Sequence, residues 1–256
     1  MLTYIDSHAH YDAEQFDPDR DELLEALHKG GVRNIVNIGC TLERSQFSID
    51  LAEKFPFIYA AVGIHPEDAA DTPSDYLEKI RKMAENEKVV AVGEIGLDYH
   101  FEGFDRELQM RFFEEQLDLA EEKNLPVVIH SRDATEDTMR ILGKRGKIYG
   151  VMHCFSGSAE TAKQVLALGM NISFTGVLTF KNARKAVEAL EVVPLDRLML
   201  ETDCPYMAPE PNRGKRCDSG MIVNVIEKIA ELKGVTPELV AEKTMENTLK
   251  LFSRMK

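Results

Sequence analysis

The chain has 256 residues and a formal net charge of -13 at pH 7, from 31 basic and 44 acidic side chains. A protein of this length buries roughly three quarters of the surface of its unfolded chain, so it needs no disulfide or structural metal to fold. The acidic balance argues against an extended basic face that follows duplex DNA. No apolar run approaches the roughly 20 residues that span a bilayer, and the first residues lack the pattern of a secretory signal. We therefore expect a cytoplasmic protein with no membrane partner.

Eight short apolar runs recur along the chain, each followed by a polar segment with helical periodicity. In chain order they are TYIDSHAH, RNIVNIGC, IYAAVGIHP, VVAVGEIGLDY, PVVIHS, YGVMHCFSG, NISFTGV and RLMLETDCP. This alternation predicts an α/β fold with a parallel sheet covered by helices, and eight units predict a (β/α)8 TIM barrel as one domain over residues 1–256. The alternative is a doubly wound open sheet, which usually has fewer strands, and no G-x-G-x-x-G motif follows the first run.

Capping residues mark several of the connecting helices. In the first, we expect Asp17 to be the N-cap, Pro18 to take the first helical position, and Gly30 to end the helix. A longer helix is predicted over residues 105–124, with one apolar face made of Leu108, Phe112, Phe113, Leu117 and Ala120. After the eighth run, SGMIVNVIEKIAELKG and TPELVAEKTMENTLKLF predict two more helices, the second capped by Thr236.

The four cysteines are scattered, without a C-x-x-C pair; they are Cys40, Cys154, Cys204 and Cys217. Such spacing is typical of reduced, mostly buried thiols and not of a disulfide framework or a zinc knuckle. We therefore assign all four cysteines structural positions.

Polar side chains gather at the ends of the predicted strands. His8 and His10 are two positions apart, so they point to the same side of a strand. The C-terminal strand ends of a barrel form one rim, which brings such residues together. The candidates on this rim are His8, His10, His65, Glu94, His130, His153, Glu201 and Asp203. Any one of these histidines is more often structural than functional, but five of the seven histidines in the chain lie at strand ends.

Four imidazoles and two carboxylates exceed what one tetrahedral ion requires. They suit two divalent cations about 3.5 to 4 Å apart that share a bridging carboxylate. Such a centre lowers the pKa of bound water and clamps the attacking and leaving oxygens of an ester, so hydrolysis is the favoured reaction class. The mixture of imidazoles and carboxylates is compatible with magnesium, manganese or zinc.

Six motifs also follow one another in a familiar order: DSHAHYD, GIHP, GEIGLDY, IHSRDA, HCFSG and ETDCPYMAP. Across almost the whole chain this series resembles that of the TatD-family metal-dependent deoxyribonucleases. The resemblance implies a (β/α)8 hydrolase that cleaves phosphodiester bonds in DNA, as a 3′-5′ exonuclease acting on single strands or 3′ ends. No obligate protein partner is evident in the sequence.

The resemblance also assigns roles to individual residues. One ion would be held by His8, His10, Glu94 and Asp203, and the other by Glu94, His130 and His153. Glu94 would bridge the two ions, and Asp203 would also orient the attacking water and accept its proton. The third catalytic residue, His65, would contact the scissile phosphate or the leaving group. Glu201 would lie behind the ligands or inside the barrel.

Substrate phosphates are expected to meet a basic segment, PNRGKRCDSG, which resembles the family's loop after the eighth strand. Its cations are Arg213, Lys215 and Arg216, and Arg132 beside His130 is a fourth candidate. The alternative interpretation is a solvated basic loop. Cys204 stands where the family usually has serine, and residues 217–219 depart from its asparagine-acid-proline pattern, which leaves the substrate preference open.

Other functions fit the same scaffold. An aminoacyl-tRNA deacylase, an amidohydrolase and a lactonase are the alternative hydrolases, and a barrel that binds a ligand without turnover is a third class. Related amidohydrolases often carry a carboxylated lysine at the end of the fourth strand, where this chain has Glu94. That difference favours the TatD-like interpretation over the amidohydrolase. It does not distinguish a TatD-like nuclease from an aminoacyl-tRNA deacylase.

Overall fold

The structure, a computed structural model, describes residues 2–255. Met1 and Lys256, the two ends of the predicted domain, lie outside the described residues. Eight parallel strands form one sheet in which each strand pairs with the next along the chain, and this confirms the predicted (β/α)8 barrel. The strands are Tyr4–Ala9 (β1), Val32–Ile38 (β2), Ile58–Val62 (β3), Val89–Asp98 (β4), Val127–Arg132 (β5), Gly150–Met152 (β6), Asn171–Phe174 (β7) and Leu198–Leu200 (β8).

Helices cover the outside of the sheet. Their bounds are Arg20–Lys29 (α1), Leu42–Lys54 (α2), Tyr76–Met83 (α3), Arg106–Lys123 (α4), Thr135–Arg145 (α5), Ala159–Ala167 (α6), Arg184–Val192 (α7), Ile222–Lys233 (α8) and Pro237–Leu251 (α9). Short 3-10 turns join several of these elements. Across residues 2–255, no helix has both the length and the apolar character needed to cross a bilayer.

Two of the predicted helix caps are confirmed and one is wrong. Thr236 accepts a hydrogen bond from the Leu239 N–H at the start of α9, as predicted. The helix predicted over residues 105–124 is α4, and its N-cap Asp105 accepts a hydrogen bond from the Leu108 N–H. Gly30 ends α1 as expected. The predicted start of α1 was wrong, because the helix begins at Arg20 with Asp19 as its N-cap.

The cause of this difference is tertiary packing. Phe16 is fully buried and its ring lies 4.6 Å from that of Tyr11, so the chain first makes a 3-10 turn over Glu14–Phe16. Asp17 closes that turn and pairs with Arg20 instead of capping the helix. A buried aromatic ring therefore delays the helix by two residues relative to the local signal.

Two groups of apolar side chains pack the barrel. The larger group lies between the sheet and the helices, where Phe113 and Leu117 from the predicted apolar face of α4 are buried. The second group joins strand residues such as Ile5 and Val36 with Phe252 and Met255, which follow α9. The end of α9 therefore packs against the strand side chains that fill the barrel, and the polar side chains collect at the opposite end.

The barrel closes between β1 and the segment after β8. A single parallel bridge, Ala9 with Cys204, joins them among the described residues. Next to it the His10 N–H donates to the Cys204 carbonyl at 2.8 Å, and the Asp203 N–H donates to the His8 carbonyl at 3.0 Å. The ends of the first and last strands are thereby held together by backbone hydrogen bonds.

Asp6 stabilises this closure from inside the protein. Its buried carboxylate accepts hydrogen bonds from the hydroxyls of Thr202 and Ser219, both at 2.6 Å, and from the N–H groups of Thr202 and His8. Burial nevertheless raises the pKa of Asp6, to about 7. These bonds link β1 to two segments that lie 196 and 213 residues away in the chain.

Replacing Asp6 with alanine is expected to lower the free energy of unfolding by roughly 2–4 kcal/mol at pH 8. The substitution leaves two buried hydroxyls and two N–H groups without their acceptor. Urea denaturation of the metal-free protein measures this difference, with Asp6→Asn as the variant that keeps one acceptor oxygen. A loss below about 1 kcal/mol would show that the closure does not depend on Asp6.

Candidate metal centre

A cavity of about 760 Å³ lies at the C-terminal ends of the strands. Its lining includes six of the eight predicted candidates: His10, His65, Glu94, His130, His153 and Asp203. His8 is fully buried directly behind it, with its ring stacked on that of His153 at 4.0 Å. The structure therefore brings together all six residues that the sequence assigned as metal ligands.

The first group of potential ligand atoms surrounds His8 and His10. Their Nε2 atoms are 3.0 Å apart. The Asp203 Oδ1 atom lies 3.6 Å from the Nε2 atom of His8 and 3.2 Å from that of His10. Glu94 presents its Oε2 atom to the same two nitrogens, at 3.3 and 3.9 Å.

The second group forms on the other oxygen of Glu94. The Glu94 Oε1 atom lies 2.8 Å from the His130 Nδ1 atom and 2.6 Å from the His153 Nε2 atom. These two nitrogens are 3.2 Å apart. One carboxylate thus presents a different oxygen to each histidine pair, which is the arrangement that a bridging ligand requires.

The donor sets fit divalent cations. Ligands that bind one ion at about 2.0–2.2 Å are themselves separated by roughly 3–4 Å. The distances given for the first group are 3.0–3.9 Å. Those for the second group are slightly shorter, at 2.6–3.2 Å. His10 turns its Nδ1 atom to the Ile38 carbonyl at 3.2 Å, and His130 turns its Nε2 atom to Asp98 at 2.9 Å. The opposite nitrogen of each ring is left facing Glu94, with its tautomer fixed as in known metal-binding histidines.

Glycine allows β4 and β5 to approach closely at this point. Gly96 has a φ of 146°, and a Cβ atom there would collide with the backbone of His130. Glu94 and His130 lie on these two neighbouring strands. A side chain at position 96 would separate the strands and move His130 away from Glu94.

The electrostatic environment keeps Glu94 ionised. Burial opposes its charge, but His153, His8 and His130 together hold the pKa of this carboxyl well below its usual range. Asp203 is also kept ionised. Burial opposes its charge, but His10 and His8 lower the pKa of its carboxyl. Both carboxylates are therefore in the form that binds cations.

Asp203 adopts a backbone conformation that favours glycine, with a φ of 60°. Non-glycine residues in this region cost about 1–3 kcal/mol and occur where the surrounding structure holds them. Here the hydrogen bond from the Asp203 N–H to His8 supplies that restraint. The strained backbone directs the carboxylate toward His8, in β1, and His10, which follows it.

His65 lies in the same cavity but is oriented differently. Its Nδ1 atom accepts a hydrogen bond from the Glu67 N–H at 3.3 Å, so the proton of the neutral ring is on Nε2. Burial lowers the pKa of His65 to about 3, which keeps the ring neutral. The Nε2 atom lies 3.7 Å from Glu94. In this tautomer His65 offers an N–H group to the cavity and not a lone pair.

Two carboxylates lie behind the candidate ligand histidines. Glu201 is buried and its Oε1 atom lies 3.5 Å from the Nδ1 atom of His153, which places it behind a ligand as the sequence suggested. Asp98 bonds to His130 and was missed by the sequence analysis. The sequence did contain a signal for Asp98. It is four residues after Glu94, and this even spacing places both side chains on the same face of β4.

Replacing Asp98 with alanine is expected to weaken metal affinity by about 10- to 100-fold, because the residue orients His130 and increases its basicity. Competition with a chromophoric chelator measures the affinity. The control is Asp133→Ala, which removes an exposed carboxylate near the same rim that pairs with His100. Equal affinities in the two variants would contradict this role for Asp98.

The predicted substrate-binding cations are more dispersed than the ligands. Arg132 lines the cavity. Arg216 forms a two-fold ion pair with Asp19, with both N–O distances at 2.7 Å. Arg213 lies over the ring of Phe180 at 4.4 Å, and Lys215 bonds to Asn212. None of the last three cations is among the residues that line the cavity.

Further cavity residues were not expected from the sequence. Arg44, in the first turn of α2, lines the cavity and pairs with Asp12. All four cysteines are free, and Cys204 and Cys217 are buried as expected. Cys40 and Cys154 are only partly buried and lie in the cavity wall.

The sequence model of the family described as TatD related DNase matches residues 5–253. The chain belongs to the TatD family. It is 45% identical over 250 residues to the "uncharacterized metal-dependent hydrolase YabD" of Bacillus subtilis, covering 97% of this chain and 98% of that protein. It is also 33% identical over 248 residues to the "3'-5' ssDNA/RNA exonuclease TatD" of Cronobacter sakazakii, covering 94% of each.

A solved structure of a TatD homologue, YjjV of Escherichia coli, agrees with this membership. It superposes with a TM-score of 0.92 at 32% identity and covers 98% of each chain. This TatD-family protein is therefore a metal-dependent hydrolase, and the histidine and carboxylate groups around Glu94 are its candidate metal-binding groups.

Proposed function

We propose that this protein is a 3′-5′ exodeoxyribonuclease that uses two divalent cations, magnesium, manganese or zinc, to hydrolyse phosphodiester bonds at the ends of single-stranded DNA. The observation that carries the proposal is the position of Glu94, whose two oxygens face two separate histidine pairs at one cavity. Two neighbouring cations suit a phosphodiester, because its attacking and leaving oxygens both need stabilisation.

The cations, when bound, supply an acidified water and positive charge beside the phosphate. The side chains of the protein orient the water, accept its proton and contact the substrate. Asp203, 13% exposed and facing the cavity, orients the water and accepts its proton. His65 donates its Nε2–H group to the scissile phosphate or the leaving oxygen. Glu94, which contacts four histidines, links the two groups of ligand atoms and fixes their relative position.

Arginines on the cavity wall supply the remaining contacts to phosphate. Arg132 lies beside His130 and reaches the cavity, and Arg44 joins it from α2. Arg213, Lys215 and Arg216 would meet phosphates farther from the cleaved bond. In a chain of net charge -13, these local cations attract a polyanion without an extended basic groove. This favours a flexible strand end over a duplex.

The names of relatives agree with this assignment, since the protein of Cronobacter sakazakii is called a 3'-5' ssDNA/RNA exonuclease. The aminoacyl-tRNA deacylase, amidohydrolase and lactonase alternatives use similar metal chemistry, and substrate choice separates them. The cytoplasmic location stays a prediction of the sequence, in keeping with four free thiols.

The proposal is tested with a 5′-labelled single-stranded decamer, the same sequence as a circle, an aminoacyl-tRNA and a lactone. The metal-loaded protein is expected to shorten the linear decamer stepwise from its 3′ end and to leave the circle intact. Hydrolysis of the aminoacyl ester or the lactone, with no shortening of the decamer, would assign the site to another hydrolase.

Replacing Arg132 with alanine is expected to raise KM for the decamer about 10-fold with little change in kcat, because the lost contact contributes equally to ground and transition states. Arg216→Ala is expected to weaken substrate binding less, since its guanidinium is already paired with Asp19. Initial rates at two salt concentrations measure both effects. If KM rose more in Arg216→Ala than in Arg132→Ala, Arg216 would be the more important contact to the substrate, contrary to the proposal.

A further inference from the structure

Aromatic and apolar side chains are concentrated at the mouth of the metal cavity. Large apolar side chains that are well exposed in residues 2–255 are Phe101, Phe104, Tyr149, Tyr206 and Met207. Three of these five, Phe101, Tyr206 and Met207, line the cavity. Exposed apolar groups that cluster beside a polar centre usually mark a binding surface.

Tyr206 is held at a fixed position relative to Asp203. Its N–H donates to the Asp203 carbonyl at 3.0 Å, so a tight turn separates the proposed base from the ring. The next residue, Met207, packs its sulfur 3.4 Å from that of Cys154. A Cβ atom at Gly176 would collide with the Met207 backbone, so glycine allows this close packing. The ring itself stays 53% exposed.

Phe101 stands on the loop that follows β4. The guanidinium carbon of Arg132 lies 5.3 Å from the centre of its ring, and the ring of His100 meets its edge at 5.0 Å. His100 is fixed in turn by Asp133 at 2.8 Å. Phe101 is nevertheless 56% exposed, which leaves ring surface free for another planar group.

We propose that Phe101 and Tyr206 form a stacking platform for the last two bases of a single-stranded nucleic acid whose 3′-terminal phosphodiester lies at the metal centre. The inference rests on the proposed exonuclease function and names how its substrate is held. Stacking uses the π-face that every base has, so it tolerates sequence but requires unpaired bases. Paired bases are stacked inside the duplex and cannot reach the two rings.

Charge around the platform supports a nucleic acid as its occupant. Arg132 covers one face of the Phe101 ring while its N–H groups remain able to meet a phosphate. Arg44 lines the same cavity. An apolar ligand would offer neither arginine an anion, whereas a nucleotide supplies a ring and a phosphate within one unit.

The test compares a 5′-labelled single-stranded decamer with the same strand lacking its two 3′-terminal bases. The readout is the ratio of kcat/KM for the complete strand to that for the strand with abasic ends, from first-release initial rates of metal-loaded enzyme. In wild type we expect a ratio of about 10 or more, since each base that stacks on an aromatic ring strengthens binding of the complete strand. This ratio should fall at least about threefold in each of three variants, Phe101→Ala, Phe101→Leu and Tyr206→Ala.

Tyr149→Ala is the matched control, because this tyrosine is 45% exposed but precedes β6 at the other end of the barrel. It should keep the wild-type ratio and metal content. A wild-type ratio near one, an unchanged ratio in the Phe101 and Tyr206 variants, or a wild-type ratio in Phe101→Leu would overturn the stacking platform while leaving exonuclease activity in place. Failure of wild type to cleave either strand would overturn the exonuclease function and the platform together.

Discussion

Replacing Glu94 with alanine abolishes turnover and releases metal from both halves of the site: this is the largest effect that we expect. The carboxylate contacts His8 and His10 with one oxygen and His130 and His153 with the other. Its loss removes the anionic ligand that the two groups share, and the neutral imidazoles that remain hold a divalent cation less tightly without its charge. Turnover should fall by at least about 10³- to 10⁴-fold, the equivalent of several kcal/mol of lost transition-state stabilisation.

Metal content by elemental analysis, measured beside initial rates, checks this expectation. Asp68→Ala is the matched control, because Asp68 lines the same cavity but forms no ion pair with any described histidine. Glu94→Gln separates charge from shape and should also lose metal. If Glu94→Ala kept its full metal content and activity, the bridging role would be wrong.

Replacing Asp203 with asparagine should produce a different result, in which metal is retained and catalysis is lost. Asparagine keeps an oxygen beside His8 and His10 but cannot accept the proton of the attacking water. Removing a general base costs about 10²- to 10⁴-fold in rate. We therefore expect kcat to fall by this factor while KM for the decamer changes little.

The supporting measurements are metal content and the pH dependence of kcat. The variant should bind metal nearly as well as Asp68→Asn and should lose the limb of the pH profile that belongs to the base. Retention of that limb with a kcat near that of wild type would transfer the role of proton acceptor to another group. Loss of all metal would instead make Asp203 chiefly a ligand.

The fold could be predicted from periodicity because each unit encodes its own strand and helix. Apolar runs such as VVAVGEIGLDY are buried on both faces, as parallel strands in a barrel are, so they stand out without alternation. The error at Asp17 came from a contact that no local rule contains. The burial of Phe16 against Tyr11 decided where α1 begins.

The clustering of the candidate metal ligands was predictable because barrel geometry converts a position in the sequence into a position in space. His130 and His153 are far from His8 in the chain, yet His130 lies near the end of β5 and His153 directly follows β6, so both reach the same rim. Asp98 lies inside the predicted run VVAVGEIGLDY, with the same parity as Glu94. It was missed because its role depends on a contact with the His130 ring of the neighbouring strand, which the sequence does not show.

The substrate side could not be derived in the same way. Arg216 pairs with Asp19, 197 residues away in the chain, and this partner removes it from the free cations that the motif suggested. Phe101 and Arg44 reach the cavity from loops and helix ends whose paths depend on tertiary packing. Sequence spacing predicts which side chains the strands direct toward the cavity. It says less about which side chains the connecting loops bring there.

The two-ion arrangement around Glu94 is tested most directly by anomalous diffraction from crystals soaked in manganese. We predict two anomalous peaks about 3.5–4 Å apart, one beside His8, His10 and Asp203 and the other beside His130 and His153, with Glu94 between them. A single peak, or peaks that do not contact Glu94, would contradict the account.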